Sequence, residues 1–229
     1  MPILSVLLAA ATVASPAPAH TGVVSEPGIR HAPVVRLVTF GHSWVAGRYP
    51  DPAITPWPDR VAASHGVSLA NAGVGATEAS QTLDAVLAYQ PRAADEVVIE
   101  AMLNDVRKYG DAGIPAFKRT VRSMLRHLTM APVRPARIVM VSDAPITLWQ
   151  TPPGSLYDQG SDPELHAYAD ALEAVASKFA RFNVRILDLS RRWAADEYIA
   201  SDGIHPSEAG TARIAQRVAW ALGSLGRRR

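Results

Sequence analysis

The chain has 229 residues, with 23 Lys and Arg against 21 Asp and Glu, a formal net charge of +2. That balance leaves no strong field to draw nucleic acid, and 48% hydrophobic with 19% charged residues is globular rather than disordered composition. Cysteine is absent, which excludes a disulfide framework, a thiol nucleophile and a thiolate metal site, and the length fits one self-supporting domain or at most two small ones.

The first element is Ile3 to Ala14, an apolar run broken only by Ser5 and Thr12. A membrane span needs about 20 such residues, so the run is too short to cross. It resembles the core of a secretory signal peptide, although no Lys or Arg precedes it. Ala17-Pro18-Ala19 supplies the small residues of a cleavage site. The expectation is a signal peptide over 1–19, a polar lead-in over 20–33, a single domain over 34–226 and a basic tail over 227–229. The mature protein is then secreted or held in the cell envelope, with no stable membrane insertion after cleavage.

Strand and helix patterns alternate from there. Val34 to Phe40 is a β-branched run ending at Gly41, as a buried strand would. Further strands are predicted at Val67–Ala70, Val97–Met102, Ile138–Ser142 and Val184–Leu189. Helical spacing joins Ile114, Phe117, Val121, Leu125 and Leu128, then Leu165, Tyr168, Leu172, Val175 and Phe179. Asp162-Pro163 reads as N-cap and first-turn proline of that second helix. Ile214, Val218, Leu222 and Leu225 mark a last helix. The alternation predicts a parallel sheet with helices on both faces, in which ligands bind beyond the carboxyl ends of the strands.

Four segments at such strand ends carry chemistry. Ser43 follows the first strand and Gly41; a turn serine is commonly only a helix cap, and a nucleophilic one needs a base. The elbow G-x-S-x-G is not met, because Val45 stands at the second glycine. Asn71-Ala72-Gly73-Val74-Gly75 offers close backbone approach; as a dinucleotide loop it fails at Glu78. Asn104-Asp105 follows the third strand and offers a neutral N–H donor or, more commonly, an Asx turn. Asp202 and His205 stand three apart in a Gly- and Pro-bearing turn. That spacing sets a carboxylate beside an imidazole.

Taken together, Gly41-His42-Ser43, Asn71-Ala72-Gly73, Met102-Leu103-Asn104-Asp105 and Asp202-Gly203-Ile204-His205-Pro206 resemble, in order and spacing, the four blocks of the SGNH hydrolases, the GDSL-type esterases and lipases. The resemblance runs from about Val34 to about Val218. Two positions depart from it: His42 stands at the family's Asp, and Met102 at its glycine. The resemblance implies a flavodoxin-like three-layer α/β/α fold with a central parallel five-stranded sheet. It implies Ser43 as nucleophile, His205 as general base and Asp202 as its orienting carboxylate. The Ser43 and Gly73 amides with the Asn104 side chain would form the oxyanion hole. The implied reaction is hydrolysis of a small-molecule, lipid or acylated-sugar ester through an acyl-serine, with no cofactor. An acyltransferase on the same scaffold and a non-catalytic binding module are the alternatives. No metal site is expected, since the remaining histidines show no paired ligand spacing.

The segment Ala144 to Gly160 is long for a connection in a compact domain and follows the fourth strand. Long connections of that kind are often binding loops. Its Trp149 and Tyr157, with Trp44 beside the nucleophile, are candidate substrate-pocket residues. For the two loop aromatics, local packing is the equal alternative.

Overall fold

The structure is a computed structural model and describes residues 36–150 and 155–223. The expected signal peptide, lead-in, basic tail, Leu225 and positions 151–154 of the long loop lie outside the described residues. Five strands form one sheet in the order β2-β1-β3-β4-β5: β1 (Arg36–Gly41), β2 (Ser68–Gly73), β3 (Asp95–Glu100), β4 (Arg137–Val141) and β5 (Val184–Leu187). Every neighbouring pair is parallel.

The β-branched runs are hydrophobic at successive positions because both faces of the sheet are covered. Strand periodicity then divides them between two cores. Val38, Phe40, Val97, Ile99, Ile138 and Met140 face one core, against α3 (Ala79–Ala88), α5 (Ile114–Met130) and α6 (Asp162–Ala176). Leu37, Val98, Val139 and Val141 face the other, against α2 (Trp57–His65) and the last helix (Glu208–Leu222). The three-layer fold is therefore the expected one. The predicted stripe on α5 is buried from Phe117 to Leu128, with Met124 added to it, and Ile114 at its start is half-buried.

Local details differ from the sequence reading. Ser161, not Asp162, is the N-cap of α6, and Asp162 and Pro163 open its first turn. Phe179 sits in a 3₁₀ turn over Ser177–Phe182 rather than in the helix. Strand β2 runs three residues beyond Ala70, because its ladder with β1 continues to the pair Gly41 and Gly73.

The order 2-1-3-4-5 changes direction between β1 and β3, and a crevice opens at such a point beyond the strand ends. Ser43 follows β1 and begins α1 (Ser43–Ala46); Asn104 follows β3 on α4 (Leu103–Tyr109). The two residues flank that crevice.

Candidate active site

Glycine is required where the first strand turns. Gly41 has φ +152°, and a Cβ there would lie 1.9 Å from the Glu100 carbonyl oxygen. Its absence lets β1 lie close against β3 and turn at once into α1. His42 is the N-cap of α1, its ring Nδ1 accepting from the Trp44 amide. Ser43 is the first helical residue, and the short helix closes at Gly47 with φ 70°. Gly73 serves packing: a Cβ on it would meet the Ala46 nitrogen at 2.5 Å. Asn71 ties the same helix down, donating to the Val45 carbonyl at 2.7 Å.

The Asp202–His205 turn reaches Ser43 from the far end of the chain. His205 Nε2 lies 3.0 Å from Ser43 Oγ, and His205 Nδ1 lies 2.6 Å from Asp202 Oδ2. The other carboxylate oxygen, Oδ1, accepts the Ile204 and His205 amides at 3.0 and 2.9 Å. Partial burial pushes the Asp202 pKa up, but the His205 ring and these two amides outweigh it and hold the carboxyl below its ordinary range. His205 and Asp202 remain partly open to solvent, at 21% and 29% side-chain exposure. Hydroxyl, imidazole and carboxylate in series can take a proton from the hydroxyl and stabilise the imidazolium that results.

Asn104 is buried beside this array and donates one Nδ2 hydrogen to the Thr77 carbonyl at 2.8 Å, leaving the second for a ligand. Gly73 does not fit the donor role expected of it. Its amide is committed to Asn71 Oδ1 at 2.9 Å, and the next amide, of Val74, to the Gly41 carbonyl at 2.9 Å. Among the described residues, the amides of Ser43 and Gly75 donate no hydrogen bond.

The two departures from the family pattern are linked. His42 Nε2 lies 2.6 Å from Asp143 Oδ1, and both side chains are buried. Asp143 Oδ2 accepts the Met102 and Leu103 amides at 2.9 and 2.8 Å. The pair therefore fastens the nucleophile turn to the turn that carries Asn104. Met102 does not crowd that turn, because its side chain packs in the core with Val121 and Met124. Asp143 was not singled out in the sequence, although an Asp directly after the fourth strand is the signal that marks it.

The proposed pocket aromatics fall differently. Trp44 is fully buried and its indole N–H donates to the Ile204 carbonyl at 3.1 Å. It braces the His205 turn against α1 and presents no surface to a substrate, which corrects the reading of it as a pocket wall. Trp149 is half-buried, donates to Asp162 Oδ1 at 2.7 Å and lies against Gly160. It anchors the long loop to α6, as local packing predicts. Tyr157 lies beneath the Arg107 guanidinium carbon, 5.0 Å from ring centre. Tyr49, not anticipated, stands edge-on to the His205 ring at 6.4 Å.

The sequence pattern of the GDSL-like Lipase/Acylhydrolase family matches residues 39–213. The chain belongs to this family. Similar solved structures include a carbohydrate acetylesterase from Sinorhizobium meliloti, with 18% identity, TM-score 0.63, and 84% of this chain and 100% of that one covered. An aryl esterase of M. smegmatis gives 19%, 0.63, 84% and 100%, and a lipase/acylhydrolase from Enterococcus faecalis 19%, 0.64, 85% and 99%. At such identities the likeness is one of fold. No curated protein matches the chain. Membership of the GDSL-like hydrolases makes this protein a hydrolase by class, and among its described residues no helix is long and apolar enough to cross a membrane.

Proposed function

We propose that the protein is a serine esterase that hydrolyses carboxylic esters through an acyl-serine intermediate. The observation that carries this is the Ser43 Oγ to His205 Nε2 distance of 3.0 Å with Asp202 on the opposite ring nitrogen. His205 takes the Ser43 proton as Oγ bonds to the ester carbonyl carbon. The carbonyl oxygen becomes an oxyanion, held by the Ser43 amide and the free Asn104 Nδ2 hydrogen. His205 then protonates the departing alkoxide as the C–O bond breaks. Water, deprotonated by His205, attacks the acyl carbon, and His205 returns the proton to Ser43 Oγ as the acyl–oxygen bond breaks and the acid leaves.

The test is a set of 4-nitrophenyl esters of increasing acyl length, with a serine-directed phosphonate. Release of nitrophenol in a burst equal to enzyme concentration and a phosphonate adduct on Ser43 support the reading. Full esterase activity in Ser43→Ala, or labelling of another serine, overturns it. An added alcohol acceptor in the same assay reads hydrolysis against acyl transfer. The apolar head and Ala17-Pro18-Ala19 support export; an intact Met1 on soluble protein from the native host contradicts it.

A further inference from the structure

We propose that Arg107 is a binding residue for an anionic group, a carboxylate or phosphate, carried by the ester substrate. The proposal rests on the esterase reading and names a substrate class for the same site.

Arg107 is 6% exposed, and it is the one Lys or Arg that is buried among the described residues. Three buried acids elsewhere meet a basic partner, whereas Glu100 and Asp105 join no ion pair among the described residues and burial raises their pKa. Asp95 takes two hydrogen bonds from Arg36, Glu96 meets Arg137, and Asp143 meets His42. Arg107 has no such partner: its Nε is buried with no hydrogen bond, and among the described residues its guanidinium joins no ion pair. Its guanidinium carbon lies over the Tyr157 ring, 5.0 Å from the ring centre. A guanidinium stays charged and carries five N–H donors in a planar fork. Holding it out of water without an acceptor is costly, unless a ligand brings the oxygens. The planar fork is the donor set that receives carboxylate or phosphate through two parallel bonds.

The place is at the active site. Arg107 is three residues after Asn104 on α4, so the two share neighbouring positions on the helix surface. The loop after β4 docks there: the Gln159 amide donates to the Arg107 carbonyl at 2.9 Å, and a Cβ on Gly160 would lie 3.0 Å from the Arg107 Cα. The same loop's Thr147 and Leu148 amides donate to the Gly203 carbonyl, inside the Asp202–His205 turn, at 3.1 and 2.9 Å. Thr147 and Leu148 of this connection thus touch the catalytic turn, and Gln159 and Gly160 touch the arginine. Burial lowers the Arg107 pKa, while the Tyr157 and Asp202 fields raise it again, so the triad carboxylate is felt at the guanidinium.

The experiment compares matched pairs of esters. An anion on the acyl side is read with mono-4-nitrophenyl succinate against 4-nitrophenyl butyrate. One on the alcohol side is read with 4-acetoxybenzoate against 4-acetoxybenzamide, and phosphate with 4-acetoxyphenyl phosphate. The wild type should favour at least one anionic ester over its neutral partner. Arg107→Gln should lower that ratio of kcat/KM about 10- to 100-fold, mainly through KM, as loss of a charged hydrogen bond would. Arg107→Lys should restore part of it. A ratio near one in the wild type, or one unmoved by Arg107→Gln, overturns the proposal. So does an equal fall on neutral and anionic esters that tracks Tm, which marks a packing role. Titration calorimetry with succinate, benzoate and inorganic phosphate on wild type and Arg107→Gln separates the two readings. If no ester is hydrolysed the esterase reading fails, yet binding lost in Arg107→Gln still sustains the anion site, and no binding by wild type removes it.

Discussion

Two His–Asp pairs flank Ser43, and they differ in one respect that decides what each does. His205 and Asp202 are partly open to water, three residues apart, and the far ring nitrogen faces the serine hydroxyl. His42 and Asp143 are sealed, 101 residues apart in sequence, and every polar atom of the pair is turned inward. His42 Nδ1 accepts an amide, so Nε2 carries the proton given to Asp143, whose second oxygen takes two more amides. No atom is left over for a substrate. The same two residue types thus make a proton-transfer device where one nitrogen is exposed, and a fastener where none is.

The largest separation between the pairs should appear when each is cut. His205→Ala removes the base and should lower kcat by about 10⁴- to 10⁶-fold, with Asp202→Asn in the same direction through the wrong ring tautomer. Stability measured by urea unfolding should change by only about 1 kcal/mol in either, since the groups are partly solvated. A His205→Ala enzyme that keeps its turnover would break the comparison at its first term.

Cutting the sealed pair should show in unfolding first. Asp143→Ala strands the His42 ring and two amides in the core, and should cost about 3–5 kcal/mol. His42→Asp, which restores the residue of the resembled family motif, should be at least as harmful, because it sets two carboxylates face to face beside buried Glu100. Burial, and then the Asp143 charge, already push the Glu100 carboxyl well above its ordinary pKa against the opposing Trp57 hydrogen bond. Adding Asp143→Asn to His42→Asp should recover part of the loss. A double-mutant cycle in urea measures this, and strict additivity would mean that the two residues do not act as a pair.

The turn that Asp143 holds carries Asn104. Asn104→Ala should lower kcat by about 10²- to 10³-fold, with KM little changed, if its free hydrogen meets the developing oxyanion. A uniform rise in KM with kcat intact would assign Asn104 to ground-state binding instead.

The sheet and the open pair were legible in the sequence for a shared reason: both are local. A buried parallel strand is a run of β-branched residues, and Asp202-Gly203-Ile204-His205 lies within one turn. The sealed pair was not legible, because its distance is set by the register of β1 and β4 on either side of β3. His42 drew notice only as a departure, and its reason stands at position 143. The aromatics were misplaced for a related cause. Sequence adjacency to Ser43 says nothing of direction, and Trp44 points into the core behind the nucleophile. Gly73 matched the expected block, but its amide was taken by a side chain two residues earlier. Arg107 gives no sequence signal among scattered arginines; only burial without a partner marks it.

The smallest expected effect distinguishes the two regions by the sign of their pH dependence. Asp202, on the open side, has a lowered pKa, so its contribution to stability is present above the unfolded value of about 4 and is lost as pH falls through its folded value. Asp105, near the sealed pair, behaves in the opposite sense. Burial raises its pKa to about 6, helped by the charges of Glu78 and Asp143 and opposed by the Ala79 amide and His42. A carboxyl raised in the folded state favours folding in its protonated form. Its contribution is whole below about pH 4 and disappears as pH rises through about 6. A carboxyl moved from about 4 to about 6 bounds the effect at about 3 kcal/mol. Asp105→Asn keeps an oxygen for the Ala79 amide, bonded now at 2.7 Å, and removes the titration. The variant should therefore match the wild type near pH 4 and exceed it in urea unfolding by about 1–3 kcal/mol at pH 8, while Asp202→Asn shows no gain there. Parallel stability curves for wild type and Asp105→Asn from pH 4 to 8 would mean that the buried side of the site holds Asp105 ionised, and that the contrast between the two regions is one of exposure alone.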